Sequence, residues 1–278
     1  MSDPYVPFKA KIIDIVQETS SDVDIKTFRI KYIDDVKKME FMPGQFFEFL
    51  IPGIGEAPFG FASNPLEKDY FEVSIKKTGL VTEAIHNLKI GDYVWVRGPL
   101  GNFFPVGNMA NNNILIVAGG IGLAPLRPLI LSILDLKNRE KYNKLTMLIA
   151  ARCTSDFIYK KDISVWSERN DADVILTIDN PEEGWGGRVG FPHNILSEID
   201  IDIYNTYAIT CGPPIMIKFV SSKLVEIGIP ENKIYTTLEM RMACGIGKCG
   251  KCNIGHKYVC IDGPVFSMEE LSKMPQEY

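Results

Sequence analysis

Hydrophobic and polar positions along this chain follow two patterns, and the first gives way to the second near residue 110. In the first part, short runs of β-branched and aromatic residues are bounded by Gly, Pro, Asn or Asp, with almost no helical periodicity. This pattern predicts six strands, which are KAKIIDIVQET, IKTFRIKYI, GQFFEFLIPG, FGFASNP, YFEVSIKKTG and DYVWVRGPLG. Strands at such close spacing favour a small antiparallel barrel, and only residues 81–88 are predicted as a helix, with Thr82 as its cap.

From about Asn111 onward, continuous apolar strands alternate with helices, which is typical of a parallel sheet covered on both faces. The predicted strands are NILIVAGG, LTMLIAAR, DVILTID and TYAITCGPP, and the predicted helices are APLRPLILSILDLKN, YKKDISVWSER and PIMIKFVSSKLVEIG. After IYTTLE, which ends at Glu239, the chain becomes rich in Gly and Cys and loses its apolar period. We therefore predict a barrel over residues 1–108, an α/β domain over 109–235 and a small lobe over 236–278.

Composition and charge exclude several classes of protein. With 278 residues, 46% of them hydrophobic, the chain can form two ordinary domains and a small appendage. Its formal net charge of -5, without a block of Lys or Arg, offers no surface for nucleic acid or an anionic membrane. The start of the chain shows no pattern of a secretory signal, so we expect a cytoplasmic protein. The apolar run 114–134 is interrupted by Gly, Pro and Arg, which predicts a buried strand, turn and helix rather than a membrane span.

Four of the six cysteines lie within CGIGKCGKCNIGHKYVC, and they are Cys244, Cys249, Cys252 and Cys260. A reducing cytoplasm argues against disulfides and leaves a structural zinc or an iron–sulfur cluster. The first three cysteines match the C-x4-C-x2-C run of plant-type ferredoxins, whereas zinc ribbons usually pair two CxxC knuckles and only one is present here. Three glycines between these cysteines allow backbone N–H groups to approach the sulfur atoms. The spacing thus favours a [2Fe–2S] cluster over zinc.

A glycine-rich turn, VAGGIGLAPLRPL, follows the first predicted parallel strand. Gly119, Gly120 and Gly122 would let the backbone approach a pyrophosphate, and the helix that follows, with Pro125 in its first turn, would stabilise the phosphate charge. The match is GGxGxxP rather than GxGxxG, so a glycine-rich turn without a ligand stays open as the alternative.

Two further segments of the α/β domain are candidates for the same crevice. CGPPIM ends a later strand, and the carboxyl ends of parallel strands share one edge, so Cys211, Gly212 and Pro213 should face the glycine-rich turn. The alternative for Cys211 is a small buried side chain. Arg152 follows the second parallel strand, where it would favour the 2′-phosphate of NADPH, although an ordinary surface charge is as frequent there.

The barrel carries two candidate segments as well. KKTGLVTEAIHNL places Gly79 and Thr82 at the start of the short helix, where a second pyrophosphate or an ordinary N-cap fits. PFGFASNP, residues 58–65, is an aromatic strand that could carry a flat ring or belong to the core. The three histidines, His86, His193 and His256, are expected at the surface or in loops.

The order of strand barrel, nucleotide-type α/β domain and cysteine loop resembles the ferredoxin-NADP reductase superfamily over essentially all 278 residues. Within that superfamily the chain is similar to the sulfhydrogenase gamma subunit and the B subunit of anaerobic sulfite reductase, and also to the electron-transfer subunit of dihydroorotate dehydrogenase B. The segments that carry the resemblance are PGQFFEF, GEAPFGFAS, GLVT, VRGPLGNFFP, VAGGIGLAPLR, CGPPIM, LEMRMACGIGKCGKC and YVCIDGPVF.

The resemblance implies an α/β plus β fold with a Greek-key FAD barrel, an NAD(P)-binding domain and a C-terminal [2Fe–2S] lobe. The implied FAD contacts are Pro58, Phe59, Gly60, Phe61, Ala62, Ser63, Gly79, Val81 and Thr82. The implied NAD(P)H contacts are Gly119, Gly120, Gly122, Pro125, Arg152, Gly212 and Pro213, with Cys211 as the catalytic residue near the nicotinamide. Cys244, Cys249, Cys252 and Cys260 would hold the cluster. The superfamily's flavin motif of arginine, aromatic residue and serine is replaced here by Ala57, Phe59 and Gly60, a departure that weakens these contacts without removing FAD.

The implied function is that of an electron-transfer, or diaphorase, subunit. Nicotinamide delivers two electrons as a hydride, a [2Fe–2S] cluster accepts one at a time, and FAD does both. We therefore predict that the chain moves electrons between NAD(P)H and a partner subunit of hydrogenase or sulfite reductase type. The alternatives are an electron-transfer subunit of dihydroorotate dehydrogenase B, a reductase that acts alone on a soluble acceptor, and a non-enzymatic module with a structural zinc.

Overall fold

The computed structural model describes residues 5–33 and 38–275. The first four residues, which belong to the segment inspected for a secretory signal, and the last three residues of the C-terminal lobe lie outside the described part.

The first hundred residues form a six-stranded antiparallel barrel with a single helix. Its elements are β1 (Phe8–Gln17), β2 (Ile25–Tyr32), β3 (Phe46–Ile51), β4 (Gly55–Gly60), β5 (Tyr70–Lys76), α1 (Leu80–His86) and β6 (Tyr93–Leu100). The strand order is β4-β3-β6-β1-β2-β5. Ala62 N donates to Glu72 O at 2.8 Å, which brings the chain after β4 to β5 and closes the barrel.

Aromatic side chains fill the barrel. Phe28, Phe47, Phe49 and Phe71 are fully buried, and each contributes about 1.5–3 kcal/mol through removal of its apolar surface from water. Phe61 stacks on Phe41 with ring centroids 3.9 Å apart. This core fixes the inner face of β3, so the residues between its phenylalanines point outward.

His86 does not lie at the surface, in contrast to the expectation from the sequence. It ends α1 and is buried, with Nε2 2.8 Å from the carbonyl oxygen of Ile75 and Nδ1 3.4 Å from Asp24 Oδ2. Its ring also packs edge-on to Phe28. A buried core histidine therefore replaces the predicted exposed one.

The α/β domain is built on a seven-stranded sheet. Its strands are β7 (Asn113–Gly119), β8 (Leu145–Ala151), β9 (Asp173–Ile178), β10 (Arg188–Val189), β11 (Thr206–Cys211) and β12 (Ile234–Thr237), and the C-terminal lobe adds β15 (Val265–Ser267). The order is β10-β9-β8-β7-β11-β12-β15, with all neighbours parallel except the last pair. The helices are α2 (Leu123–Leu134), α3 (Lys160–Ser167), α4 (Pro192–Ile195) and α5 (Pro214–Ile227).

Alternate residues of β7 belong to two different cores, which shows that both faces of the sheet are covered. Ile114 and Ile116 pack with α2 and α3, whereas Leu115 and Val117 pack with α4 and α5. The apolar run 114–134 is thus a buried strand, a turn and a 12-residue helix, as predicted. Within the described ranges, no helix combines the length and the apolar character needed to cross a membrane.

The C-terminal lobe contains β13 (Asn253–Ile254), β14 (Lys257–Tyr258), α6 (Val259–Asp262), β15 and α7 (Met268–Leu271). It contacts both larger domains. β15 pairs with β12, and Asn102, just after β6, binds three backbone groups of the lobe: its Nδ2 donates to the carbonyl oxygens of Asp262 and Val265, and its Oδ1 accepts from Val265 N. The lobe is therefore held against the barrel and the sheet at once.

Arg127 joins the barrel to the α/β domain. It lies in the first half of α2, and its guanidinium donates to the carbonyl oxygen of Ala62 at 2.7 Å, to Glu72 at 2.5 Å and to Asp162 at 2.6 Å. The guanidinium also lies 4.5 Å from the ring centre of Tyr159. These bonds set the position of α2 relative to the end of β4, where the candidate site begins.

Candidate active site

Strand β4 is half-exposed along all six of its residues, Gly55 to Gly60. A Cβ atom on Gly60 would lie 3.3 Å from Pro125 Cβ, and a Cβ atom on Gly55 would lie 3.2 Å from Val81 Cγ2. One end of β4 thus meets the start of α2 in the α/β domain, and the other meets the start of α1 in the barrel. We call this half-exposed surface between α1 and α2 the groove. Apart from Glu56, which is paired with Arg97, its residues are apolar or glycine, and it fits a flat, elongated cofactor such as FAD.

The structure separates the predicted flavin residues into two groups. Pro58, Phe59 and Gly60 line the groove, whereas Phe61, Ala62 and Ser63 are buried. Phe61 belongs to the aromatic core, and Ser63 Oγ accepts a hydrogen bond from Glu72 N at 3.0 Å.

Thr82 uses its hydroxyl within the turn that begins α1. Thr82 Oγ1 accepts from Thr78 N at 2.8 Å and from Gly79 N at 2.9 Å, and it donates to the carbonyl oxygen of Gly79. These bonds are the helix cap predicted from the sequence, placed at the third residue of the helix rather than before it. A role for this turn in binding pyrophosphate stays a prediction, although Val81 places it beside β4.

The predicted nucleotide residues of the α/β domain lie at one edge of the sheet. A Cβ atom on Gly122 would lie 2.4 Å from Cys211 O and 2.5 Å from Gly212 N, so the two chain segments touch backbone to backbone. Gly120 has φ +54°, a conformation that glycine adopts without strain. Gly119 and Gly212 also adjoin, since a Cβ atom on Gly212 would lie only 3.2 Å from Gly119 Cα. Gly119, Gly122 and Gly212 are thus packed against neighbouring protein atoms. Gly120, where a Cβ atom would meet nothing within 4 Å, leaves bare backbone that a phosphate group can approach.

Cys211 lies at the floor of this crevice and is only 4% exposed. Its Sγ accepts a hydrogen bond from Thr237 Oγ1 at 3.0 Å. Burial raises the pKa of the Cys211 thiol to about 12, so the side chain is neutral at physiological pH. The structure thus places a neutral thiol next to the glycine-rich turn, and its catalytic role stays a prediction.

Arg152, predicted near a 2′-phosphate, is engaged by two carboxylates. Its Nη2 lies 2.6 Å from Asp22 Oδ1 and its Nε lies 2.7 Å from Asp156 Oδ2. The hydrogen bond from Arg152 lowers the pKa of Asp22. Asp179, which follows the neighbouring strand β9, adds a further carboxyl beside Arg152. The surface beside the ends of β8 and β9 is therefore acidic overall, since three carboxyl groups surround one arginine.

Backbone N–H groups of the cysteine loop point at sulfur atoms. Lys248 N and Cys249 N donate to Cys244 Sγ at 3.2 and 3.3 Å, and Gly247 N donates to Cys260 Sγ at 3.1 Å. The four glycines between Cys244 and Cys260 have left-handed conformations, with φ +67°, +70°, +72° and +57° at Gly245, Gly247, Gly250 and Gly255. This is the donor set that stabilises thiolate ligands. Burial acts to raise the pKa of Cys244, but the backbone donors outweigh burial and lower it to about 7.

The four cysteines of this loop lie close enough for their thiols to influence one another. Cys249 acts on the pKa of Cys244, and both Cys252 and Cys244 act on the pKa of Cys260. Cys252 and Cys260 are buried, whereas Cys249 is exposed. In the part of the chain that the structure describes, no three His, Cys, Asp or Glu side chains converge on a position for a single metal ion. Four neighbouring cysteines with backbone N–H groups directed at their sulfur atoms fit the iron–sulfur cluster that their spacing favours over zinc.

Sequence reasoning missed the charged residues that connect these parts. Arg97 on β6 donates to the carbonyl oxygen of Cys244 at 2.7 Å, and Arg127 connects the two domains. Each is a lone charge within an apolar run, VWVRGPL and LAPLRPL. That isolation is the only signal that the sequence contains for them.

A half-open groove on an antiparallel barrel, a backbone-floored crevice and a thiolate loop define the class of flavin- and nicotinamide-dependent oxidoreductases that carry an iron–sulfur group. Three family profiles match in the same order. Residues 12–104 match the oxidoreductase FAD-binding domain, residues 116–222 match the oxidoreductase NAD-binding domain, and residues 239–272 match the iron–sulfur cluster binding domain of dihydroorotate dehydrogenase B.

Several known proteins match this chain over nearly its whole length. Sulfhydrogenase 1 subunit gamma of Pyrococcus furiosus is 38% identical, covering 98% of this chain and 94% of the relative. A protein of the same organism named as probable electron transfer subunit of dihydroorotate dehydrogenase B (NAD(+)) is 36% identical over 89% of this chain and 86% of its own. A solved structure of the NADH-dependent reduced ferredoxin-NADP oxidoreductase, studied for flavin-based electron bifurcation, aligns with TM-score 0.75 and 27% identity, covering 94% of this chain and 88% of that one. The cytochrome b5 reductase domain of Ulva prolifera nitrate reductase, at 19% identity and TM-score 0.69 over 84% of this chain and 97% of that one, shares the fold.

The chain belongs to the family of electron-transfer subunits that contains the sulfhydrogenase gamma subunits and the dihydroorotate dehydrogenase B electron-transfer subunits, within the ferredoxin-NADP reductase superfamily. It is an oxidoreductase subunit that uses FAD, NAD(P)H and an iron–sulfur cluster. The predicted fold class and family are confirmed.

Proposed function

We propose that the chain carries electrons between NADH and a partner redox subunit through FAD and a [2Fe–2S] cluster. The observation that supports this most is the convergence of the three candidate sites on strands β4 and β6 of the barrel, which flank β3. The nucleotide crevice reaches β4 through Pro125 and Gly60, and the cysteine loop is bonded to β6 through Arg97. Bound FAD would accept a hydride and release its electrons singly.

The residues of this chain supply position rather than acid–base chemistry. Gly120 leaves bare backbone for a nucleotide, and Gly122 and Gly212 let the ends of β7 and β11 pack closely beside it. Pro125 sets the spacing between the crevice and β4, and Arg127 fixes the two domains. Transfer of a hydride needs correct placement of the two rings and no general base. The neutral thiol of Cys211 suits this role, because it adds no charge beside the nicotinamide.

The cluster type rests on the arrangement of the thiolates. The C-x4-C-x2-C spacing and the backbone N–H groups directed at Cys244 and Cys260 support a [2Fe–2S] cluster held by Cys244, Cys249, Cys252 and Cys260. Because thiolate ligands require a reducing compartment, we place the protein in the cytoplasm. Metal and sulfide analysis should give about two iron and two acid-labile sulfide per chain. One zinc per chain with no iron would refute the assignment.

The partner is inferred from the relatives. Two sulfhydrogenase gamma subunits match at 38% and 34% identity over at least 95% of this chain, so we propose a hydrogenase-type partner, with a sulfite reductase as the neighbouring possibility. An electron-transfer subunit for a dihydroorotate dehydrogenase is the second candidate, because such subunits match at up to 36%. Affinity purification under anaerobic conditions separates the candidates. A nickel–iron, siroheme or FMN subunit in the complex would identify the partner, and a chain purified without any partner would favour a reductase that acts alone.

NADH is expected to be the better substrate, with kcat/KM at least about tenfold above that of NADPH, a difference of about 1.4 kcal/mol. Asp22 and Asp156 already neutralise Arg152, and Asp179 lies beside this arginine as well. The 2′-phosphate of NADPH would add further negative charge to this acidic surface. Steady-state dye reduction with both nucleotides measures the ratio. The double variant Asp22→Asn, Asp156→Asn frees Arg152 and should shrink the ratio, while Arg152→Gln should leave the rate with NADH unchanged. Equal or better use of NADPH by the wild type would contradict the proposal.

The exposed face of the cysteine loop is expected to dock an acidic surface of the partner. Arg241, Lys248 and Lys251 are exposed beside the exposed Cys249, in a chain whose net charge is -5. The double variant Lys248→Glu, Lys251→Glu should slow electron delivery to the partner about tenfold at low salt, because opposite charges accelerate association. Backbone N–H groups make the sulfur contacts of the loop, so the cluster should stay intact. The control Lys89→Glu, Lys137→Glu makes the same charge change elsewhere. Equal rates for the two double variants would disprove this docking face.

A further inference from the structure

A group of buried charges lies beneath the cysteine loop, on the outer face of the barrel. Glu48 stands between Phe47 and Phe49 on β3, and because those two rings fill the core, the Glu48 side chain points to the opposite face. Across the sheet, Glu48 is paired with Arg97 on β6 and with Pro58 on β4. Only 1% of Glu48 and 6% of Arg97 is exposed, so the loop covers charges that are rarely buried without a specific role.

Arg97 connects β4, the strand proposed to bind the flavin and called the flavin strand below, to Cys244, the first cysteine of the loop. Its Nε and Nη2 bind the two carboxylate oxygens of Glu56, on β4, at 2.5 and 2.9 Å. Its Nη1 donates to the backbone carbonyl oxygen of Cys244 at 2.7 Å. A planar guanidinium that is held by two partners in this way has little freedom, so it fixes the distance between β4 and the loop.

Gly245 brings the loop as close to the barrel as a backbone can come. A Cβ atom at this position would lie 2.9 Å from both Glu48 Oε1 and Leu100 Cδ1, and its φ of +67° also favours glycine. Among the described residues, Glu48 Oε1 has no hydrogen-bond partner, and its nearest cation is Arg97, at 3.8 Å. Arg97 is therefore the buried cation at the boundary between β4 and the cysteine loop, and it balances the carboxyl groups of Glu56 and Glu48, which would otherwise oppose added negative charge there.

We propose that Arg97 is a positioning residue for electron transfer, which holds the Cys244 backbone at a fixed distance from the flavin strand and favours reduction of the iron–sulfur group by its charge. This inference rests on the proposed function. No bond forms or breaks in the protein during the step. One electron, supplied by NADH through FAD, adds one negative charge at the cysteine loop, and a buried cation beside that loop favours the added charge.

The test compares Arg97→Gln, Arg97→Lys and the wild type as full-length protein with flavin and iron bound. In Arg97→Gln, the midpoint potential of the iron–sulfur group, followed by its paramagnetic resonance signal, should fall by at least about 59 mV, equivalent to tenfold in the reduction equilibrium. After rapid mixing with NADH, reduction of the iron–sulfur group should slow about tenfold or more, while bleaching of the flavin keeps its wild-type rate. Arg97→Lys keeps the positive charge but loses the two parallel hydrogen bonds of the guanidinium to Glu56. Its midpoint potential should therefore shift by less than half as much as in Arg97→Gln, while reduction of the iron–sulfur group stays slow.

Two further variants complete the design. Arg29→Gln removes the other barrel arginine, which pairs with Glu72, and should change neither potential nor transfer rate. Glu56→Gln weakens the hydrogen bonds that hold the Arg97 guanidinium and keeps the arginine itself. It should slow electron transfer to the iron–sulfur group, and it provides this test even if Arg97→Gln fails to retain iron or to fold. Wild-type potential and transfer rate in the iron-loaded Arg97 and Glu56 variants would overturn the inference. A wild-type chain without NADH-reducible iron would instead refute the proposed function itself.

Discussion

Replacing Cys249 with serine is expected to abolish electron delivery to the partner while NADH still reduces the flavin. Cys249 is the exposed cysteine among the four proposed cluster ligands, and a [2Fe–2S] cluster needs all four ligands. Iron content and the paramagnetic signal should be lost, and partner reduction should fall to background. NADH-dependent reduction of ferricyanide, which the flavin performs directly, should stay within about twofold of the wild type, because the two sites are separate.

The control for this experiment is Cys153→Ser. Cys153 is half-buried, and its Sγ lies 3.1 Å from Ser155 Oγ, outside the cysteine loop. It should retain iron and both activities. If Cys249→Ser kept its iron and its electron delivery to the partner, the loop would not be the exit of the electron path.

Replacing Gly122 with valine is expected to lower kcat/KM for NADH by at least about 100-fold, because displacement of reacting groups by about 1 Å has effects of this size. The added side chain would collide with Cys211 O and Gly212 N, which are backbone atoms that cannot rotate away. The strand ends β7 and β11 must separate, and the floor that receives the nucleotide changes shape. Overpacking of this kind also destabilises the fold by about 1–3 kcal/mol.

Gly107→Ala provides the matched comparison, since a Cβ atom there meets nothing within 4 Å and its φ is not left-handed. Its kinetics and its midpoint of thermal unfolding should equal those of the wild type. Gly122→Val should still bind FAD and should still be reduced by dithionite, which separates a damaged crevice from an unfolded protein. A Gly122→Val variant that oxidises NADH at the wild-type rate would show that the nucleotide binds elsewhere.

The sequence predicts the main architecture because periodicity reports burial. β7 and α2 are predicted correctly from one apolar run. The residues of β7 do not alternate between apolar and polar, which correctly predicts that both faces of the sheet are covered. The strand β4 is displaced, starting at Gly55 rather than near Phe59, because Gly55 to Ala57 have little strand propensity and become a strand only by pairing with β3. β15 is missed for the same reason, since three residues gain their strand character from β12.

The candidate sites divide by the range of the interactions that form them. The cysteine loop and the glycine-rich turn are local, so their spacing is informative. By contrast, the bond from Arg97 to Cys244 joins positions 147 residues apart, and no local pattern gives the partner of an isolated charge. Phe61 and Ala62 are buried whereas Pro58 is half-exposed, and this difference depends on the closure of the barrel, which the sequence alone does not reveal.

Anaerobic rapid mixing of the oxidised holoprotein with NADH shows whether NADH, FAD and the iron–sulfur group lie on one electron path. Flavin absorbance should fall first, and an iron–sulfur signal of about one unpaired spin per chain should then appear and reach the same final extent of reduction as the flavin. Iron that dithionite reduces but NADH does not, or a flavin that NADH leaves oxidised, would show that the three groups are not on one path.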